Sequence, residues 1–103
     1  MEFKMWFDGR GLINAPEHTR PKPAKLPKCP AWLASYSFYT NKSPRYFKGW
    51  TLTEASTGFG VVAFCKTRQE AMKKGLELIL AAGQERWENE VAKAQKKIAG
   101  GIA

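Results

Sequence analysis

An α+β fold follows from three features of this sequence: strand-like alternation broken by turn residues, a capping box that opens an amphipathic run, and a proline-rich stretch ahead of both. The expected architecture is a three-stranded antiparallel sheet from about residue 35 to 66, packed by a C-terminal helix. A basic proline-rich N-terminal arm precedes it. With 103 residues, 44% apolar side chains and 13% aromatics, the chain can build one modest core and no second domain.

Residues 1 to 15 form an N-terminal anchor segment. Phe3, Trp6 and Phe7 precede Asp8-Gly9-Arg10-Gly11, a turn signal, so the stretch suits a small strand or a plug on the core. Residues 16 to 31 form the arm or linker, where Pro16, Pro21, Pro23, Pro27 and Pro30 deny backbone donors and favour extended conformations. A single α+β domain then spans residues 32 to 99, and 100 to 103 is a frayed tail.

Within the domain, Ser35-Tyr36-Ser37-Phe38-Tyr39-Thr40 partly alternates and Asn41-Lys42-Ser43-Pro44 closes it. Phe47 to Ala55 alternates more strictly, with Trp50 and Leu52 on one face and Thr51 and Thr53 on the other. Gly58-Phe59-Gly60 is a hairpin connection; it lacks the third glycine and the flanking elements of a dinucleotide loop. Val61 to Cys65 is a strongly apolar strand. Thr67-Arg68-Gln69-Glu70 matches the capping box, in which the threonine hydroxyl accepts from the glutamate amide and the glutamate reaches back to the threonine amide. Ala71, Met72, Leu76, Ile79 and Leu80 then recur at helical spacing, predicting a helix from about Arg68 to Ala82. Gly83 leaves two continuations open, one long helix or a break with a second helix. Beyond it Trp87, Val91, Ala94 and Ile98 form a narrow stripe with three covers open to it: the sheet, the first helix, or a second copy of the chain in a homodimer.

The formal charge is +8. Residues 1 to 48 hold nine basic and three acidic side chains, while 49 to 103 hold eight and six, so the excess belongs to the N-terminal half. Such asymmetry suits a polyanionic partner. In the arm, Arg20, Lys22, Lys25 and Lys28 face only Glu17. Lys42, Arg45 and Lys48 interleave with aromatics and no acids, and Arg68, Lys73 and Lys74 cluster at the start of the helix, where anions are favoured. Tyr39, Tyr46 and Trp50 are the candidates to stack on bases.

Catalysis finds few components. His18, the sole histidine, stands in the proline-rich segment, and the acids form no paired set. Cys65 lies two positions before the helix cap beside Lys66 and Arg68, where positive potential favours a thiolate. The competing assignment, which we adopt, is a buried strand cysteine serving as a small hydrophobe. Cys29 and Cys65 are too far apart in sequence for a CxxC pair, and no metal or cofactor is expected. No apolar run is long enough to cross a bilayer, the opening residues do not read as a secretory signal, and a non-membrane, cytoplasmic setting is expected.

The segment Phe64-Cys65-Lys66-Thr67-Arg68-Gln69-Glu70-Ala71 resembles the last strand and helix start of the three-stranded arm-type DNA-binding domains of phage and transposon integrases, over roughly residues 47 to 80. It is also loosely similar to the last strand and helix of double-stranded RNA-binding domains, although Lys66-Thr67-Arg68 departs from their lysine pair. In size and general character the chain is similar to small phage-encoded regulators, anti-CRISPR proteins among them. These resemblances and the charge imply a non-catalytic nucleic-acid-binding, DNA-binding protein. The alternative is an anti-CRISPR-like inhibitor that engages an acidic or nucleic-acid-binding host protein complex through its basic face.

Overall fold

The structure, a computed structural model, describes residues 3–7, 11–42 and 49–101. Strands β1 (Lys4–Phe7) and β2 (Gly11–Asn14) form an antiparallel hairpin. After a short 3-10 turn over Glu17–Thr19 come β3 (Lys22–Ala24), β4 (Phe38–Lys42), β5 (Trp50–Glu54) and β6 (Gly60–Cys65), an antiparallel meander in chain order. Helices α1 (Arg68–Ala82) and α2 (Gln84–Gly101) complete the chain.

The sheet therefore has four strands rather than three, and the additional one comes from the proline-rich segment. Lys22 pairs with Thr40, Pro23 with Tyr39 and Ala24 with Phe38. The prolines make the backbone extended, and an extended backbone beside an unpaired strand edge can form a ladder. An edge position tolerates Pro23 because every second backbone N–H there points away from the neighbouring strand. Leu26 is buried beyond β3, so the segment is sewn into the core instead of forming a free arm.

Alternation along β4 and β5 sorts two faces. Phe38, Thr40, Leu52 and Trp50 face the helices, where Leu26, Leu33, Cys65, Ala71, Ile79, Trp87 and Val91 complete the core. Gly75 lets α1 settle on the sheet, since a Cβ there would stand 2.3 Å from Leu52 Cδ2. The helix breaks at Gly83 (φ 88°), whose N–H still donates to the Ile79 carbonyl at 3.0 Å. The break turns α2 back over the sheet, bringing the Trp87 ring edge-on to Tyr36 at 5.6 Å and against Phe38 at 5.9 Å. Of the three covers open to the apolar stripe, the chain itself supplies that of Trp87 and Val91, which are buried, while Ala94 and Ile98 are half-buried. Helix α2 also continues through Gly101, past the expected start of a frayed tail.

On the opposite face, the β1–β2 hairpin covers Tyr39, which is fully buried. Phe3 meets its ring edge-on at 5.0 Å, and its hydroxyl donates to the Lys4 carbonyl. Beside it, Thr53 donates to Asn41 Oδ1 at 2.7 Å. The β5–β6 turn is fastened by Glu54, whose buried carboxylate accepts from Ser56 N at 2.9 Å, Ser56 Oγ at 2.6 Å and Thr57 N at 3.0 Å. Gly58 and Phe59 accordingly lie in the hairpin connection, with Gly60 opening β6, and Trp6 stacks on Phe59 at 5.0 Å.

Burial pushes the Tyr39 hydroxyl well above its ordinary range, opposed by the neighbouring Thr53 hydroxyl and reinforced by Glu54. The native state therefore holds the neutral phenol, while the unfolded chain ionises near pH 10. The stability that Tyr39 contributes is intact below that pH and declines as the pH rises past it. We expect Tyr39→Phe to cost about 1 kcal/mol at neutral pH. Urea midpoints between about pH 7 and pH 11 should show the gap to the parent protein narrowing once the pH exceeds about 10.

Candidate nucleic-acid interface

The turn into α1 places one side chain across the end of the sheet. Thr67 Oγ1 accepts from the Glu70 amide at 3.0 Å, as the capping box requires. The Glu70 carboxylate accepts from Lys66 N at 2.6 Å, one residue earlier than the box expects, and pairs with Lys74 at 3.2 Å. The Lys66 amide and then Lys74 hold its carboxyl below the ordinary range.

From this fixed start Arg68 reaches over β5 to β4. Its guanidinium lies 3.9 Å from the centroid of the Trp50 ring, donates to Thr40 Oγ1 at 2.8 Å, and donates to the Arg20 carbonyl at 2.9 Å. Lys42 Nζ is 5.1 Å from the same ring. Arg20 closes the 3-10 turn in a left-handed conformation (φ 51°), its N–H donating to the Glu17 carbonyl at 2.9 Å. Lys22 stands opposite Thr40. Burial first, and then the Arg20 charge, pushes the Arg68 pKa down. Among the described residues no carboxylate pairs with Arg20, Lys22, Lys42 or Arg68.

The expected contact residues thus divide. Arg20, Lys22, Lys42 and Arg68 meet at one corner. Lys25 and Lys28 follow β3 away from it, because the strand leaves at its Phe38 end. Lys73 and Lys74 are exposed on α1, with Lys74 engaged by Glu70. Arg45, Tyr46 and Lys48 lie outside the described residues. Of the stacking candidates, Tyr39 is buried beneath the hairpin, and Trp50 is half-buried with its ring already occupied by Arg68 and Lys42. Neither presents a free aromatic face.

A different aromatic does. Phe64 is 65% exposed, the most open of the large apolar side chains described. Its backbone has φ +60°, a left-handed conformation that costs an L-residue roughly 1–2 kcal/mol. The ladder pairs Trp50 with Cys65 but Leu52 with Val62, so β6 carries an extra residue just where Phe64 stands. A run of five apolar residues gives no sign of such a bulge, and Phe64 was not legible as a surface residue for that reason.

At the far end of the sheet, a cavity of about 430 Å³ is lined by Phe59, Val61, Leu78, Ile79, Trp87 and Val91, among others. Glu54, its buried carboxylate, is committed to the turn donors. Cys65 is buried at 3% exposure, and its thiol pKa is pushed up by burial first and then by Glu70, with Lys74 opposing. The thiolate that Lys66 and Arg68 favoured on sequence grounds is therefore disfavoured. Among the described residues there is no metal-binding cluster and no helix long and apolar enough to cross a membrane. No family model, curated protein sequence or solved structure matches this chain.

Two outcomes test this geometry. In a Cys29→Ser background, Cys65 should react with a neutral-pH thiol reagent about a hundredfold or more slowly than in urea, because reaction waits for the fold to open; mass spectrometry reads it. Arg68→Lys should lower stability by about 1–2 kcal/mol in urea titrations, since an ammonium cannot combine ring stacking with the fork of donors to Thr40 and Arg20.

Proposed function

We propose that this chain is a non-catalytic nucleic-acid-binding protein whose contact surface is the Trp50 end of the sheet. One observation carries the proposal: Arg20, Lys22, Lys42 and Arg68 converge around Thr40 and Trp50 with no carboxylate paired to any of them among the described residues. Cations gathered without carboxylate partners raise the local potential and favour a polyanion that supplies the missing charge. Arg68 is fixed by its own hydrogen bonds and acts as the rigid centre of the surface. Arg20, Lys22 and Lys42 supply the phosphate contacts around it.

Each phosphate contact releases counterions, so affinity falls with salt by a slope of about 0.7 per contact on single strands and about 0.9 on duplex. In fluorescence anisotropy with a labelled oligonucleotide, the combined Arg20→Ala, Lys22→Ala and Lys42→Ala variant should weaken binding and reduce the single-strand slope by about 2. Lys25→Ala with Lys28→Ala should leave the slope nearly unchanged. Absence of binding to single-stranded and duplex oligonucleotides alike at low salt would overturn the assignment.

A further inference from the structure

We propose that Phe64 is a base-stacking platform and that the preferred ligand carries unpaired bases. This rests on the nucleic-acid reading above and specifies its substrate.

The first ground is exposure. Among the aromatic residues whose side chains are described, all but Phe64 are buried or half-buried. The second is that this exposure is built into the backbone. The extra residue in β6 interrupts the alternation that would otherwise dictate which way the side chain points, and bulges commonly re-aim a side chain in this manner. Gly49 holds the distortion in place. It lies in the left-handed region itself (φ +70°), and a Cβ there would stand 2.6 Å from Phe64 Cα and 3.0 Å from the Cys65 carbonyl oxygen. Only a glycine permits two backbones to meet so closely, so the position of Phe64 is braced from the β5 side. The conformation is a maintained one, which suits a contact residue.

The third ground is location. Gly49 adjoins Trp50, the ring that carries Arg68 and Lys42, and Cys65 is the Trp50 partner across the ladder. Phe64 is therefore within a residue or two, on both strands, of the cationic corner. An open ring on a residue neighbouring the cation-bearing Trp50–Cys65 pair offers both elements that single-strand binders use, charge for the backbone and a π-face for a base. A duplex presents base edges in its grooves and keeps base faces stacked within the helix, so an open ring finds its partner only where a base is unpaired.

Binding of the parent protein to fluorescein-labelled oligothymidylate, to an abasic strand of equal length and to a duplex tests the proposal. Stacking is worth roughly 5- to 150-fold in affinity per base. The parent protein should prefer oligothymidylate over the abasic strand by a factor in that range, and Phe64→Ala should lower oligothymidylate binding to the abasic level without changing abasic binding. Phe64→Trp should retain the preference, and urea midpoints of both variants confirm that the fold is kept. Equal affinity of the parent for oligothymidylate and the abasic strand would overturn the stacking role and leave the phosphate-binding surface standing. An equal loss on both strands in Phe64→Ala would also overturn it, making Phe64 a support for the surface or for contacts with protein. Binding to none of the three would remove the nucleic-acid reading itself.

Discussion

The guanidinium of Arg68 is the interaction on which both the fold and the cationic corner depend. It joins the first turn of α1 to β4 through Thr40, to β5 through Trp50, and to the turn preceding β3 through the Arg20 carbonyl. Four pieces of chain, distant in sequence, are held by one planar group with directional donors. A lysine's point charge would satisfy the electrostatics without fixing the angles. Because Arg68 is the first residue of α1, the cap formed by Thr67 and Glu70 also sets where this group lies. A local helix-start signal is thereby converted into tertiary placement.

The same connection explains why the proline-rich segment is ordered. An edge strand of three residues, one of them proline, contributes few ladder hydrogen bonds and would be marginal alone. It gains its hold at both ends, through Arg20 under Arg68 and through Leu26 in the core. The positive charge that looked like the property of a mobile arm is divided by this arrangement. Arg20 and Lys22 are fixed at the corner, while Lys25 and Lys28 are carried toward the other end of the sheet.

What could be read in the sequence depended on how local the cause was. The helix from Arg68 to Ala82 rests on a cap and a 3.6-residue period, and both lie within the segment they describe. The strand at Trp50–Glu54 fell within its alternating stretch for the same reason, and Gly60–Cys65 matched its apolar run to within a residue, whereas Phe38–Lys42 begins three residues late and takes in Asn41 and Lys42, which the sequence suggested as a turn. The fourth strand was missed because proline content speaks only of backbone conformation, whereas its pairing with Phe38 and Thr40 is a long-range event. The stripe on α2 was legible as apolar, but its cover was not. That depended on Gly83 breaking the helix and folding Trp87 onto Tyr36 and Phe38. Of the site, the basic residues were visible in the composition, yet only some of them converge. The aromatics could not be sorted at all, because burial under the hairpin decides Tyr39 and a bulge decides Phe64.

The two ends of the sheet treat their polar groups in opposite ways. At the Glu54 end a carboxylate is buried and satisfied by three donors of its own turn, which stabilises the hairpin and leaves little to offer a ligand. At the Trp50 end the side-chain charges of Arg20, Lys22 and Lys42 have no carboxylate partner among the described residues, the guanidinium at their centre is partly desolvated beside a like charge, and an apolar ring is exposed on a strained backbone. Each of these features opposes folding. They are sustained by the buried core of Leu52, Ile79 and Trp87. The proposed ligand, a polyanion with open bases, would relieve both penalties at once, the repulsion through its phosphates and the exposure through a stacked base, so features that are costly in the free protein would be complementary in such a complex.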